Sequence, residues 1–344
     1  MLPLFALTAL IALAIAALFL IAGRGPPQLA AHVGFGLGAL PLILAAMAYF
    51  VPVLTRGTSA RVSLTWIPIL GWTAGLLAVL AFANESSVLL LSLAALLGGI
   101  ATLGLGGWTL SRTRRMFGPR HRGLDWYLAA LAFLLLALLA VGLMPAIPEQ
   151  SNGLRLFHIH ANLLGFVGLS ALGTLQVLLP TCLGRADSGT ALRLRLDLKW
   201  AAAGVLLVAT GAWLSPFLAL AGTLSFGIAM IRMLNAWRRH FGASLLQLHG
   251  AAPSLLAATV GLLGLLVLGV AHGFGWMSAR PAIAGFVVAF LLPMVSGAAA
   301  YLLPIWLRPG AQGAWHHALR ARLCRWGGLR GLVLLLLGLA ITAF

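Results

Sequence analysis

Long apolar runs alternate with short polar connections along the whole chain, and the connections are rich in Arg, Gly and Pro. A bilayer core roughly 30 Å thick is crossed by about 20 apolar residues in helical form. The pattern predicts spans at 3–22, 31–54, 64–83, 87–110, 125–147, 156–180, 197–214, 217–236, 246–271, 281–306 and 326–343. Lipid offers no partner for backbone N–H and C=O groups, so each span is expected to be helical. Only Ser215 and Pro216 part the seventh from the eighth, and proline there favours a tight hairpin over one long helix. The first run has no basic residues ahead of its apolar core. It therefore reads as a retained transmembrane helix and not as a signal peptide.

The same pattern repeats. His32 stands twenty residues before Pro52, His160 twenty before Pro180, and Ala284 twenty before Pro304. Arg114-Arg115-Met116-Phe117-Gly118 recurs as Arg238-Arg239-His240-Phe241-Gly242, and Trp66, Trp200 and Trp326 each open a third helix. These markers divide a single membrane domain, 1–344, into units at approximately 1–122, 123–245 and 246–344. The expected fold is an all-α polytopic membrane protein with about eleven transmembrane helices in a pseudo-threefold four-helix repeat (4+4+3).

Composition agrees with that reading: 62% of residues are hydrophobic and 8% charged. A net charge of +17 invites a nucleic-acid partner, but the distribution of charge argues against one. Of 22 Lys and Arg, only Arg24, Arg155 and Arg280 fall at the ends where the odd spans finish, leaving 19 on the other side. The positive-inside rule then puts the N-terminus in the cytoplasm and the C-terminus outside, in a bacterial-type inner membrane. The basic runs become solvated cytoplasmic faces beside lipid head groups. Cys182 and Cys324 are too few and too far apart in the chain for a disulfide framework.

Nine histidines carry the candidate chemistry. His121, His240, His316 and His317 fall in basic loops and read as solvated, and His249 reads as a polar residue opening the ninth span. His32, His158, His160 and His272 all fall at the outer ends of spans. Four imidazoles at one depth point to a metal or haem site, because neutral imidazole ligates copper, iron and haem. Two residues on a helix are separated by about 200° of rotation, so His158 and His160 face opposite sides and fit two neighbouring sites better than one metal. Arg155 and Arg280 are candidates to pair with haem propionates, with membrane-edge snorkelling as the alternative. Asn162 is a candidate to orient a ligand, and Met277 a soft copper donor. Glu85, Asp125, Glu149, Asp187 and Asp197 lie at helix ends or in loops, so no mid-membrane carboxylate suggests a proton relay.

The segment HIHANLLGFVGLSALGTLQVLLPT, 158–181, and more weakly 31–56, resembles histidine-led helices of the haem–copper oxidase subunit I superfamily and of NnrS-type membrane proteins similar to it. The resemblance implies three four-helix units holding haem and copper near the outer face. In it, His32 matches the second-helix axial haem ligand and His160 the sixth-helix copper ligand. Other ligands of that pattern are missing. The tenth-helix His-x-His is replaced by Arg280-Pro281-Ala282-Ile283-Ala284, the seventh helix has no paired histidines, and no tyrosine follows His160 by a turn. The expectation is an inner-membrane protein that binds haem, copper or both without being a competent terminal oxidase. Nitric-oxide or copper stress, electron transfer and respiratory-enzyme assembly are the roles it implies; whether the protein is an enzyme stays open. Membrane lipid and a redox partner or respiratory-complex subunits are the expected partners. A transporter for a metal or small molecule, or a non-catalytic assembly subunit, is the alternative.

Overall fold

A computed structural model of the chain describes residues 1–58, 62–84, 87–278 and 281–343. Among these residues eleven helices are long and apolar enough to cross a membrane. They are α1 (Leu2–Ile21), α2 (Pro27–Leu54), α3 (Trp66–Ala83), α4 (Val88–Arg115), α5 (Gly123–Leu143), α6 (Pro148–Cys182), α7 (Thr190–Leu214), α8 (Pro216–Leu246), α9 (Ala251–Gly273), α10 (Ala282–Leu307) and α11 (Ala314–Ala343). The protein is an all-α polytopic membrane protein.

Ser215 is extended (φ −168°, ψ 129°) and is the whole connection between α7 and α8, with Pro216 opening α8. The hairpin follows from proline chemistry: at the first helical position its missing N–H leaves nothing unpaired. Three ends differ from the sequence reading. α7 begins at Thr190 because Arg193 and Asp197, which interrupt the apolar pattern, are neutralised by Asp187 and Arg232. α9 begins at Ala251, so His249 precedes it; the His249 Nδ1 accepts the Trp326 N–H at 2.9 Å. α11 is in two parts: a helix Ala314–Leu323, ahead of the expected start of the span at 326, turns at Trp326, whose φ is +59°, into the helix Gly327–Ala343. The first part is charged rather than apolar, so a hydropathy pattern passes over it.

Three helices lie inside the others. In α6 83% of the most apolar stretch is buried within the protein, in α10 67% and in α2 50%, against 28% in α4 and α11. Leu4, Leu18, Leu89, Leu103 and Leu224 are among the large apolar side chains left outward, as lipid requires. The packing closes on itself: α2 lies against α5, α6 against α9, and α10 against α1.

Each inner helix contains a π-helical stretch, Val33–Ala39 in α2, Ala161–Gly168 in α6 and Phe286–Leu291 in α10. Aligned on the histidine-to-proline interval, the three fall at matching positions. In α2 and α10 a proline, Pro41 or Pro293, stands just past the stretch. Its ring displaces the carbonyl four residues back, and a widened turn absorbs that clash. α6 has Leu169 there instead, so proline does not explain its stretch. Glycine permits a close crossing of α2 and α3: a Cβ on Gly75 of α3 would lie 2.1 Å from the Gly36 carbonyl oxygen of α2.

Candidate functional site

His32 ends the short α-helical start of α2, and the π-helical stretch begins at the next residue. In α6 the α-helix Ser151–His160 is unbroken and its π-helical stretch begins at Ala161. His272 lies in the last turn of α9. All four histidines are half-buried at the same end of the bundle, which is opposite the arginine-rich end.

Each ring makes a hydrogen bond of the same kind. His32 Nδ1 lies 2.8 Å from the Gln28 carbonyl oxygen, and His160 Nδ1 lies 2.8 Å from that of Leu156. His158 Nδ1 reaches across to the Ala137 carbonyl of α5 at 2.9 Å, and His272 Nδ1 to that of Met277 at 3.3 Å. A carbonyl oxygen only accepts, so in every case Nδ1 carries the proton and donates. The lone pair of each neutral ring is therefore on Nε2. An imidazole that ligates through Nε2 is held in this way, its tautomer and orientation fixed by the bond on the other nitrogen.

The helix between Ser151 and His160 separates the two α6 rings as its geometry demands. His158 lies within electrostatic range of His32, and His160 within range of His272. The sixth helix thus turns His158 to the α2 side and His160 to the α9 side. His32 also rests against Phe82 of α3, with ring centroids 4.7 Å apart. Asn162 donates from Nδ2 to the His158 carbonyl at 3.0 Å, and the same amide nitrogen lies 3.5 Å from His158 Nε2, the ring atom that can accept from it. It braces the helix at His158.

Arg155 is exposed and donates to Asn152 Oδ1 at 2.8 Å. Arg280 lies outside the described residues. Met277 meets His272 through its backbone carbonyl. Among the described residues, no group of three or more His, Cys, Asp and Glu is gathered closely enough to hold a metal ion.

At the other end the expectation of solvated loops needs correction. His316 is buried, accepting the Gly313 N–H on Nδ1 and donating from Nε2 to the Arg308 carbonyl. His121 is half-buried and accepts the Gly123 N–H at 3.1 Å. Burial, and then the nearby Arg56 cation, push the His121 imidazole below its ordinary value. Asp125 pairs with Arg120 and Arg122, Asp187 with Arg193 at 2.5 Å, and Asp197 with Arg232 at 2.8 Å. Burial raises Asp187, but the hydrogen bond and charge of Arg193 outweigh it and hold the carboxyl below the usual range. Sequence reasoning passed over Gln176, which is buried in α6 with its Oε1 unpartnered. A polar residue inside the most buried span was the signal for it.

Comparison with protein-family models gives no match, and comparison with curated proteins gives none.

Proposed function

We propose that the protein holds a transition metal, as haem iron, copper or both, at its histidine end. The ligands are two imidazole pairs, His32 with His158 and His160 with His272. The observation that carries this reading is the uniform Nδ1–H···O=C bond, which leaves four Nε2 lone pairs at one level. Two imidazoles would serve as nitrogen ligands to a haem iron or to copper. The pairwise arrangement does not suit a zinc site, which takes three or four protein ligands at one ion.

A bound haem or copper supplies one-electron chemistry; the chain's own groups hold it in place. The Gln28, Ala137, Leu156 and Met277 carbonyls fix the rings, and Phe82 covers one face of His32. Arg155, one turn before His158, is the described cation that would meet a propionate, and Arg280, two residues ahead of α10 in the sequence, is the second candidate. With 19 of 22 basic residues at the opposite end, this end faces outward from a bacterial-type inner membrane. The role that follows is electron transfer, or protection against nitric oxide or copper, with a redox partner or respiratory-complex subunits docking outside.

The test is the optical spectrum and metal content of the detergent-purified protein. A Soret band or stoichiometric copper is the expected result. Protein free of both after expression with haem and copper supplied contradicts the reading.

A further inference from the structure

A cavity of about 100 Å³ lies among the inner helices, away from the four histidines. The three inner helices contribute to it in register. Counted from the histidine-to-proline interval, Leu42, Ser170 and Met294 occupy one matched position, and Ala46, Thr174 and Ala298 another; both sets line the space. Three further matched positions do the same. The cavity therefore lies where α2, α6 and α10 face one another, with Ala6 of α1 and Tyr127 of α5 at its sides.

Its walls offer almost nothing to water. The Ser170 hydroxyl donates to the Phe166 carbonyl at 2.5 Å and the Thr174 hydroxyl to the Ser170 carbonyl at 2.7 Å. Tyr127 spends its hydroxyl on Thr174 at 2.9 Å. Among the described lining residues, the one buried polar side-chain atom left without a partner is Trp306 Nε1. A buried water needs two to four polar partners, which these walls do not supply, and apolar cavities of comparable size take up xenon or benzene. Aromatic pairs bracket it along the seam between α2 and α10. Phe35 meets Phe286 at 6.0 Å towards the histidine end, and Tyr49 meets Trp306 at 6.2 Å towards the basic end. The space is too small for a haem, and the ring pairs leave little length for an acyl chain.

We propose that this cavity is a binding site for one small, uncharged, gas-sized molecule that reaches it dissolved in the membrane. The inference is independent of the metal reading. Crystals of the full chain pressurised with xenon test it, read by anomalous density. One xenon between Leu42, Ala46 and Ala298 is expected. Ala298→Leu, which fills the space, should lower its occupancy at least fivefold, and Leu42→Ala, which enlarges it, should raise occupancy. The Leu42→Ala arm stands if Ala298→Leu fails to fold. The His32→Ala, His160→Ala double variant should keep the xenon, which separates failure of this site from failure of the metal site. An empty cavity, acyl-chain density within it, or undiminished occupancy in folded Ala298→Leu overturns the proposal.

Discussion

Single residues at the basic end show how charge is tolerated in so apolar a chain. Asp197 is almost fully buried, and its charge is carried by Arg232, which is half exposed. Removing the cation leaves a buried carboxylate uncompensated, whereas removing the anion leaves the cation in reach of water. Arg232→Leu should therefore cost roughly 1–3 kcal/mol, and Asp197→Asn clearly less, compared by thermal unfolding in one detergent. Equal losses contradict the assignment. His121 gives a pH prediction. Its Nδ1 must be unprotonated to accept the Gly123 N–H, and burial with Arg56 depresses its pKa. Between that depressed value and the ordinary histidine value of roughly 6.5, the unfolded chain binds a proton that the folded chain does not. The stability from this bond is full above that window and falls as pH drops through it. The loss of melting temperature between pH 7.5 and 5.5 should be larger in the wild type than in His121→Asn, where the amide oxygen can accept the same N–H at either pH. The same loss in both sinks the assignment.

Among the helices, close approach and the π-helical stretches matter most. Gly75→Ala in α3 would press a methyl onto the Gly36 carbonyl, so it should destabilise by roughly 1–3 kcal/mol. Gly107→Ala in α4 meets nothing within 4 Å and should be neutral or stabilising by up to about 1 kcal/mol. Thermal shifts of the two variants compare them directly, and similar destabilisation would refute the packing argument. A π-helical turn is one residue wider than an α-helical one, so it sets the rotation of His158 and His160 against the rest of α6. An alanine inserted after His160 cannot be absorbed by a stretch that is already widened, so it should turn those rings by about 100° while the downstream helix keeps its lipid-facing side. The expected outcome is folded protein that has lost bound metal. Retention of wild-type metal content contradicts the link between the stretch and the site. The stretches were not legible in the sequence, because α and π turns of apolar residues share one hydropathy pattern. The Ser215-Pro216 break was legible, because proline chemistry dictates it locally.

For the whole molecule, hydropathy alone was enough to recover eleven spans, because lipid forces every apolar run of sufficient length into a helix. It missed the helix Ala314–Leu323 and the first turns of α7, where charges are neutralised by ion pairs with Asp187 and Arg232 or lie outside the apolar slab. The site was legible in part. The repeat interval singled out His32 and His160, and the two-residue spacing required His158 and His160 to face apart. Which ring each would meet depends on how α2, α6 and α9 pack, and no spacing along the chain encodes that. The proposed site divides its four imidazoles into two separate ligand pairs. That division is tested most directly by the metal and haem stoichiometry of purified His32→Ala, His158→Ala, His160→Ala and His272→Ala, each checked for folding. Two pairs predict two classes of variant: His32 and His158 lose one bound equivalent and spare the other, and His160 and His272 do the reverse. Four variants with one indistinguishable content, whether unchanged or wholly lost, would contradict the account.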